Sequence, residues 1–146
     1  MTSSLHPSVP VTDDAALTER WRGLLDLGGP PSRRSLVLAW LRRDGTMAPL
    51  LIPVDDVPVE PDRVALGHLV EMHSAVAEAE HVEPAELHLA LCLERRGPAG
   101  VGPDHHAWAT AVEAILRGRD GLDCSLHIAD GRDCVPVLPR PSWPVS

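Results

Sequence analysis

A single α/β domain of three layers, with a mixed sheet of about five strands and helices on its faces, is the fold this sequence predicts. Three observations predict it. The run Ser35 to Leu41 is apolar at every alternating position, as in a strand covered on both sides. Three other segments repeat apolar residues at helical spacing instead. The resulting order, α-β-β-α-β-α-β-β, interleaves strands with helices as layered α/β folds do. With 146 residues the chain is most simply one domain over residues 12–138, with a flexible N-terminus before it and a loose Pro-rich tail, 139–146, after it.

Thr12-Asp13-Asp14 offers side-chain oxygens to cap a first helix, whose Leu17, Trp21, Leu24 and Leu25 form one stripe before Gly28-Gly29-Pro30-Pro31 stops it. Ser35 to Leu41 is the first strand. Asp44-Gly45 then turns the chain, and Met47 to Val54 returns as an edge strand, because Pro49 and Pro53 have no N–H to give a ladder. Asp62 to about His81 reads as a second helix with Ala65, Leu69, Met72, Val76 and Ala79 inward and His68, Glu71 and Glu78 outward; His73 and His81 are expected at its surface or boundary. Glu86 to Leu93 is an internal strand, its leucines on one face and His88, Ala90 and Cys92 on the other. Asp104 is placed to cap a third helix carrying Trp108, Ala111, Val112, Ile115 and Leu116 on one face. Leu122 to Ile128 alternates as a fourth strand, with Asp123, Ser125 and His127 sharing a face. Asp130-Gly131 turns it into a short fifth strand holding Pro136.

Composition narrows the function. The net charge of −8 opposes unspecific binding to nucleic acid or anionic lipid, where affinity comes from basic residues releasing counterions. The pairs Arg33-Arg34, Arg42-Arg43 and Arg95-Arg96 sit at strand ends, where a solvated charge marks a boundary. All 13 basic residues are Arg, and Phe and Tyr are absent, which fits the codon usage of a high-GC bacterial genome such as an actinobacterial one. Three cysteines, Cys92, Cys124 and Cys134, lack C-x-x-C spacing, so neither a disulfide framework nor a structural zinc site is indicated. No apolar run is long enough to span a membrane, and the first residues lack the pattern of a signal peptide. The expectation is a cytoplasmic protein without a membrane partner.

The segment most suggestive of chemistry is Leu93-Glu-Arg-Arg-Gly-Pro-Ala-Gly-Val-Gly-Pro-Asp-His-His, which leaves a strand, crosses a Gly/Pro loop and enters a helix. Its polar residues Glu94, Arg95, Arg96, Asp104, His105 and His106 are the candidate binding loop. Strand, loop, helix, strand, Asp-Gly turn and final strand resemble the layout of the JAB/MPN superfamily, particularly its RadC-like bacterial branch, over about residues 33–138. That resemblance implies a zinc ion held by two His and an Asp, a Ser that positions the reacting group, and an upstream Glu that takes a proton from the metal-bound water. In this chain the His positions hold Glu94 and Arg96, the Ser position Asp104 and the Asp position Ala107. A guanidinium and a methyl cannot donate to zinc, so the resemblance implies a framework that has lost its catalyst.

Other chemistry is weakly supported. Asp104-His105-His106 resembles the D-H-H signature of manganese phosphoesterases, but those need further Asp clusters, and Asp55-Asp56 is the sole other acidic pair suitably placed. A capped helix start with two exposed imidazoles accounts for it as well. His88 and Cys92 share a strand face about 13 Å apart, too far to share an ion, although His127 on the neighbouring strand could approach one of them. There is no nucleophile elbow, and Gly97-Pro-Ala-Gly-Val-Gly has neither dinucleotide nor P-loop spacing. The leading expectation is a non-catalytic domain acting through protein contacts or as a homo-oligomer, with no cofactor. The alternative is a metal-dependent hydrolase with relocated ligands drawn from His88, Glu94, Asp104, His105 and His127.

Overall fold

A five-stranded sheet with strand order β2-β1-β3-β4-β5 organises the chain, in a computed structural model that describes residues 9–25, 34–95, 103–119 and 121–144. The Gly28 to Pro31 stop, Arg33, Arg96 and the glycine loop after it lie outside the described residues, as does the side chain of Asp104. In chain order the elements are α1 (Asp14–Leu25), β1 (Ser35–Leu41), β2 (Met47–Asp55), α2 (Arg63–Ala79), β3 (His88–Glu94), α3 (Pro103–Ala111), β4 (Cys124–Ala129) and β5 (Cys134–Leu138). Neighbouring strands are antiparallel except β3 and β4, which run parallel because α3 carries the chain across between them.

The two faces of the sheet are built from different side chains, and the helices follow. Leu36, Leu38 and Trp40 of β1, Leu89, Leu91 and Leu93 of β3, and Leu126 and Ile128 of β4 form the large-residue face, covered by α2 and α3. The opposite face carries Val37, Ala39, Ala90, Cys92 and Ala129, small enough for the single helix α1 to lie close, with Leu17 and Trp21 inserted. The layers match the expected three. Residues from both ends of the described chain complete the second face: Val11 is buried, and Trp143 packs against the same cluster. Both ends are therefore less free than their composition suggested.

Local chemistry accounts for the element ends. Asp13 Oδ1 accepts the Ala16 N–H at 2.7 Å and caps α1, and Asp62 Oδ1 accepts from Val64 and Ala65 to cap α2. Asp44 Oδ1 takes the Thr46 N–H and hydroxyl, and Asp130 Oδ1 takes the Arg132 and Asp133 N–H groups, fixing the two hairpin turns. Between Ala39 and Leu41 the partner strand advances from Leu51 back to Met47, so β2 carries two extra residues opposite this step. A bulge of that kind and two prolines both blunt an edge strand.

Three expectations need correction. Helix α2 buries Leu66, Leu69, His73, Val76 and Ala77, whereas Ala65 and Ala79 are exposed, so its inward stripe lies one residue away from the predicted one. His73 is the cause. Its ring is fully buried, with Nδ1 accepting the Trp40 indole N–H at 3.3 Å and Nε2 donating to the Pro84 carbonyl at 2.9 Å. A neutral imidazole satisfied at both nitrogens is tolerated in a core. Second, α3 begins at Pro103, which puts Asp104 within its first turn and not at the cap, and the helix continues as a π-helix over Val112–Arg119. Third, Arg95 is buried, not a solvated boundary charge. Trp108, Ala111, Val112, Ile115 and Leu116 face the core as expected.

Gly45 joins the N-terminal segment to the β1–β2 turn. Its φ is +89°, and a Cβ there would lie 2.5 Å from the Val11 carbonyl oxygen, whose neighbouring N–H donates to the Gly45 carbonyl at 2.8 Å. Gly45→Ala is expected to destabilise the fold by about 2 kcal/mol through backbone strain and displacement of Val11. Thermal unfolding would show this as a Tm lower by roughly 4–8 °C; an unchanged Tm would mean the segment is not held against the turn.

Candidate functional site

Glu94 and Arg95 stand at the end of β3, beside the start of β1 and the end of β2, where Ser35 is paired with both Glu94 and Asp55. Ser35 Oγ donates to Asp55 Oδ1 at 2.8 Å. Burial raises the pKa of the Glu94 carboxyl, and the neighbouring Asp55 charge raises it further. His105 is half-buried and His106 exposed on α3. Arg96 and the Asp104 side chain lie outside the described residues. Among the described residues no three His, Cys, Asp or Glu side chains are grouped to share a metal ion. The alternative ligands His88 and His127 are instead engaged with hydroxyls, on β3 and β4 beneath α1.

That engagement forms a buried polar line which alternation alone did not pair up. His88 Nε2 is 2.9 Å from Ser125 Oγ, and its Nδ1 is 3.2 Å from Asp123 Oδ1. Asp123 Oδ2 in turn accepts from Arg140 Nε at 3.0 Å and Nη2 at 2.7 Å. The order carboxylate, imidazole, hydroxyl is that of a hydrolytic triad. Two features set it apart from a working one. The contact between Asp123 Oδ1 and His88 Nδ1, 3.2 Å long, falls short of a well-formed hydrogen bond. Ser125 is wholly buried in the middle of β4, where no substrate carbonyl can reach its oxygen.

The shifts in protonation follow from this burial. Desolvation lowers the His88 pKa, against the opposing pull of Asp123. Asp123 is itself desolvated, but His88 and Arg140 outweigh that and hold its carboxyl below the usual range. His127, two residues beyond Ser125, is pushed down to about 4 by desolvation and then by the nearby His88. Its Nε2 is 2.8 Å from Thr18 Oγ1 of α1, and the Thr18 hydroxyl donates to the Asp14 carbonyl at 3.1 Å. The Nε2 therefore carries the proton and donates to Thr18.

Cys92 pairs with His127 across the strands, while Cys134 belongs to β5 on the far side of β4. All three cysteines are free thiols. The Cys92 and Cys134 side chains nevertheless meet in the cluster beneath α1, where burial first, and then the hydrogen bond to Cys134, push the Cys92 thiol up.

Among the described residues, two clefts open at the end of the sheet where β3 and β4 begin. A cleft of about 630 Å³ is walled by Val11, Thr12, Arg43 and Gly45 on one side and by Arg140 and Trp143 on the other. A second of about 400 Å³ is lined by Glu83, Pro84, Gly121 and Asp123. Asp123 and Arg140 thus stand between two clefts. The tail that brings Arg140 there is held at three points: Arg117 Nη2 donates to the Pro139 carbonyl, Arg140 pairs with Asp123, and Trp143 Nε1 donates to Asp14 Oδ1 at 3.1 Å. The Arg140 guanidinium also stacks over the Trp143 ring at 4.8 Å. Sequence periodicity had no means of locating this site, because a tail rich in proline has no period; the signal available was the shared face of Asp123, Ser125 and His88.

Compared with protein-family models, with curated proteins and with solved structures, the chain has no match in any of the three.

Proposed function

We propose that this chain is a non-catalytic interaction domain that docks along the β2 margin of its sheet, with a second copy of the chain as partner. One observation carries the reading. Six large apolar side chains are exposed among the described residues, and five of them, Leu50, Leu51, Val54, Val59 and Val64, fall on β2, the connection after it and the first turn of α2. Apolar residues gathered on one margin mark a contact surface more often than the same number scattered singly. The prolines in β2 remove donors that an added strand would need, so docking proceeds through side chains and not by extending the sheet. A second copy brings the same residues across a two-fold axis and requires no further component. The sealing of Ser125 supports a role without catalysis, and the strand, loop, helix and strand around Glu94 suit the JAB/MPN-like layout.

Sedimentation across a concentration series tests this. Dimers are expected, strengthened by added salt, because two chains of net charge −8 repel each other while apolar contact does not depend on charge. Leu51→Lys combined with Val64→Glu should yield monomers at all concentrations; an acid in the first turn of α2 suits the helix dipole and leaves the fold intact. A wild-type chain that sediments as a monomer throughout would refute the reading.

A further inference from the structure

The 630 Å³ cleft between the β1–β2 turn and the C-terminal tail carries a second inference, independent of the β2 margin. Its volume is that of a small-molecule site. Its polar lining holds two guanidinium groups and one carboxylate, and the guanidinium donors are incompletely used. Arg43 is exposed at the turn and makes no hydrogen bond or ion pair with any described residue, unlike Arg42 beside it, which is held by both carboxylate oxygens of Glu80 at 2.6 and 3.3 Å. Arg140 is a built element: its side chain is 8% exposed, and Asp123 occupies Nε and Nη2. No described residue accepts from the remaining nitrogen, Nη1. Thr12 adds a hydroxyl that makes no hydrogen bond with any described residue, and the Trp143 ring supplies an apolar wall.

Asp44 is the acid in this lining, and its carboxylate is engaged within the turn. Its Oδ1 accepts from the Thr46 N–H and hydroxyl, and Arg42 lies nearby. The cleft therefore presents two guanidinium groups with free donors beside an aromatic face. Guanidinium forks match the planar oxygens of carboxylates and the oxygens of phosphates, and indole stacks on flat rings. The surrounding charge of −8 repels a polyanion at long range, which favours a small ligand with one anionic group.

We infer that this cleft binds a small oxyanion, a carboxylate or a monosubstituted phosphate, attached to an aromatic ring, with Arg43 and Arg140 on the anion and Trp143 against the ring. The shared chemistry is the oxyanion on a ring, and two probes separate its sources. Benzoate and phenyl phosphate are titrated into the purified chain and followed by calorimetry and by Trp fluorescence. Trp143 is half-buried whereas Trp21, Trp40 and Trp108 are buried, so a fluorescence change reports on the cleft. A saturable isotherm with at least one probe is expected, together with a loss of about tenfold in affinity for Arg43→Gln. Tighter binding of benzoate assigns a carboxylate ligand, and tighter binding of phenyl phosphate a phosphate. Arg43 is a surface residue, and circular dichroism of the variant shows whether its fold is retained. No saturable binding of either probe, or isotherms unchanged by Arg43→Gln, overturns the inference.

Discussion

Acidification from pH 7 to pH 4 is expected to remove about 3 kcal/mol of stability through His127 alone. Its folded pKa is about 4, against about 6.5 in an unfolded chain. Above pH 6.5 the imidazole is neutral in both states, and its contribution to stability is fully present. Between 6.5 and 4 the unfolded chain takes up a proton that the folded chain refuses, so stability falls as the pH falls; below 4 both states are protonated and the loss is complete. A separation of about 2.5 units corresponds to about 3 kcal/mol. His73 and His88 are buried and lowered by desolvation as well, so they act in the same direction from the same upper limit. Glu94 opposes them, because its raised carboxyl gains a proton in the folded chain first.

The check is a series of urea unfolding curves from pH 7 to pH 4. His127→Gln keeps a donor toward Thr18 and removes the titration, so its stability should vary with pH less steeply by about one proton over this window. The wild-type midpoint holding constant between pH 6.5 and 4 would show that the imidazoles reach water in the folded state. Since His88 and His127 lie on neighbouring strands beneath α1, protonating either one loads the same small volume with charge. Helix α1 is accordingly the element expected to detach first.

How much of this was legible in the sequence depended on whether a residue's neighbours in space were also its neighbours in pattern. Leu36, Leu38 and Trp40 announce one face of β1, and both Asp-Gly turns announce their hairpins, because alternation and turn chemistry are local. His73 misled the phase of α2, since an imidazole is scored as polar until the Trp40 N–H and the Pro84 carbonyl that satisfy it are known. Arg95 misled in the same way at the end of β3. The loop after Glu94 drew attention through its composition but lies outside the described residues, while two clefts lined by described residues lie at the other end of the same strand. Arg140 and Trp143 reach it from a tail whose docking rests on single long-range contacts with Asp123 and Asp14. No periodicity encodes those.

Asp123→Ala is expected to be among the most damaging single substitutions, at about 3 kcal/mol. Asp123 is the shared partner of two groups that are more buried than itself: its own side chain is 28% exposed, whereas Arg140 is 8% exposed and His88 fully buried. Removing it leaves a buried guanidinium without its counter-charge, a situation that costs roughly 3–5 kcal/mol, and the partial exposure of the site places the value at the lower end. The converse change should be milder. In Arg140→Ala the carboxylate left behind can be hydrated from the second cleft, and in Asp123→Asn an oxygen still accepts from Arg140, so each should lose less than half as much. As a comparison, Asp133→Ala breaks the ion pair with Arg22, whose partners are both largely exposed, and should scarcely alter the urea midpoint. Because Arg140 anchors the tail, Asp123→Ala should also release Trp143, seen as a red shift of Trp emission in the folded protein. Equal midpoints for Asp123→Ala and Asp133→Ala would mean that the tail is held by Trp143 packing and not by the buried ion pair, and that the cleft it walls is not charge-locked.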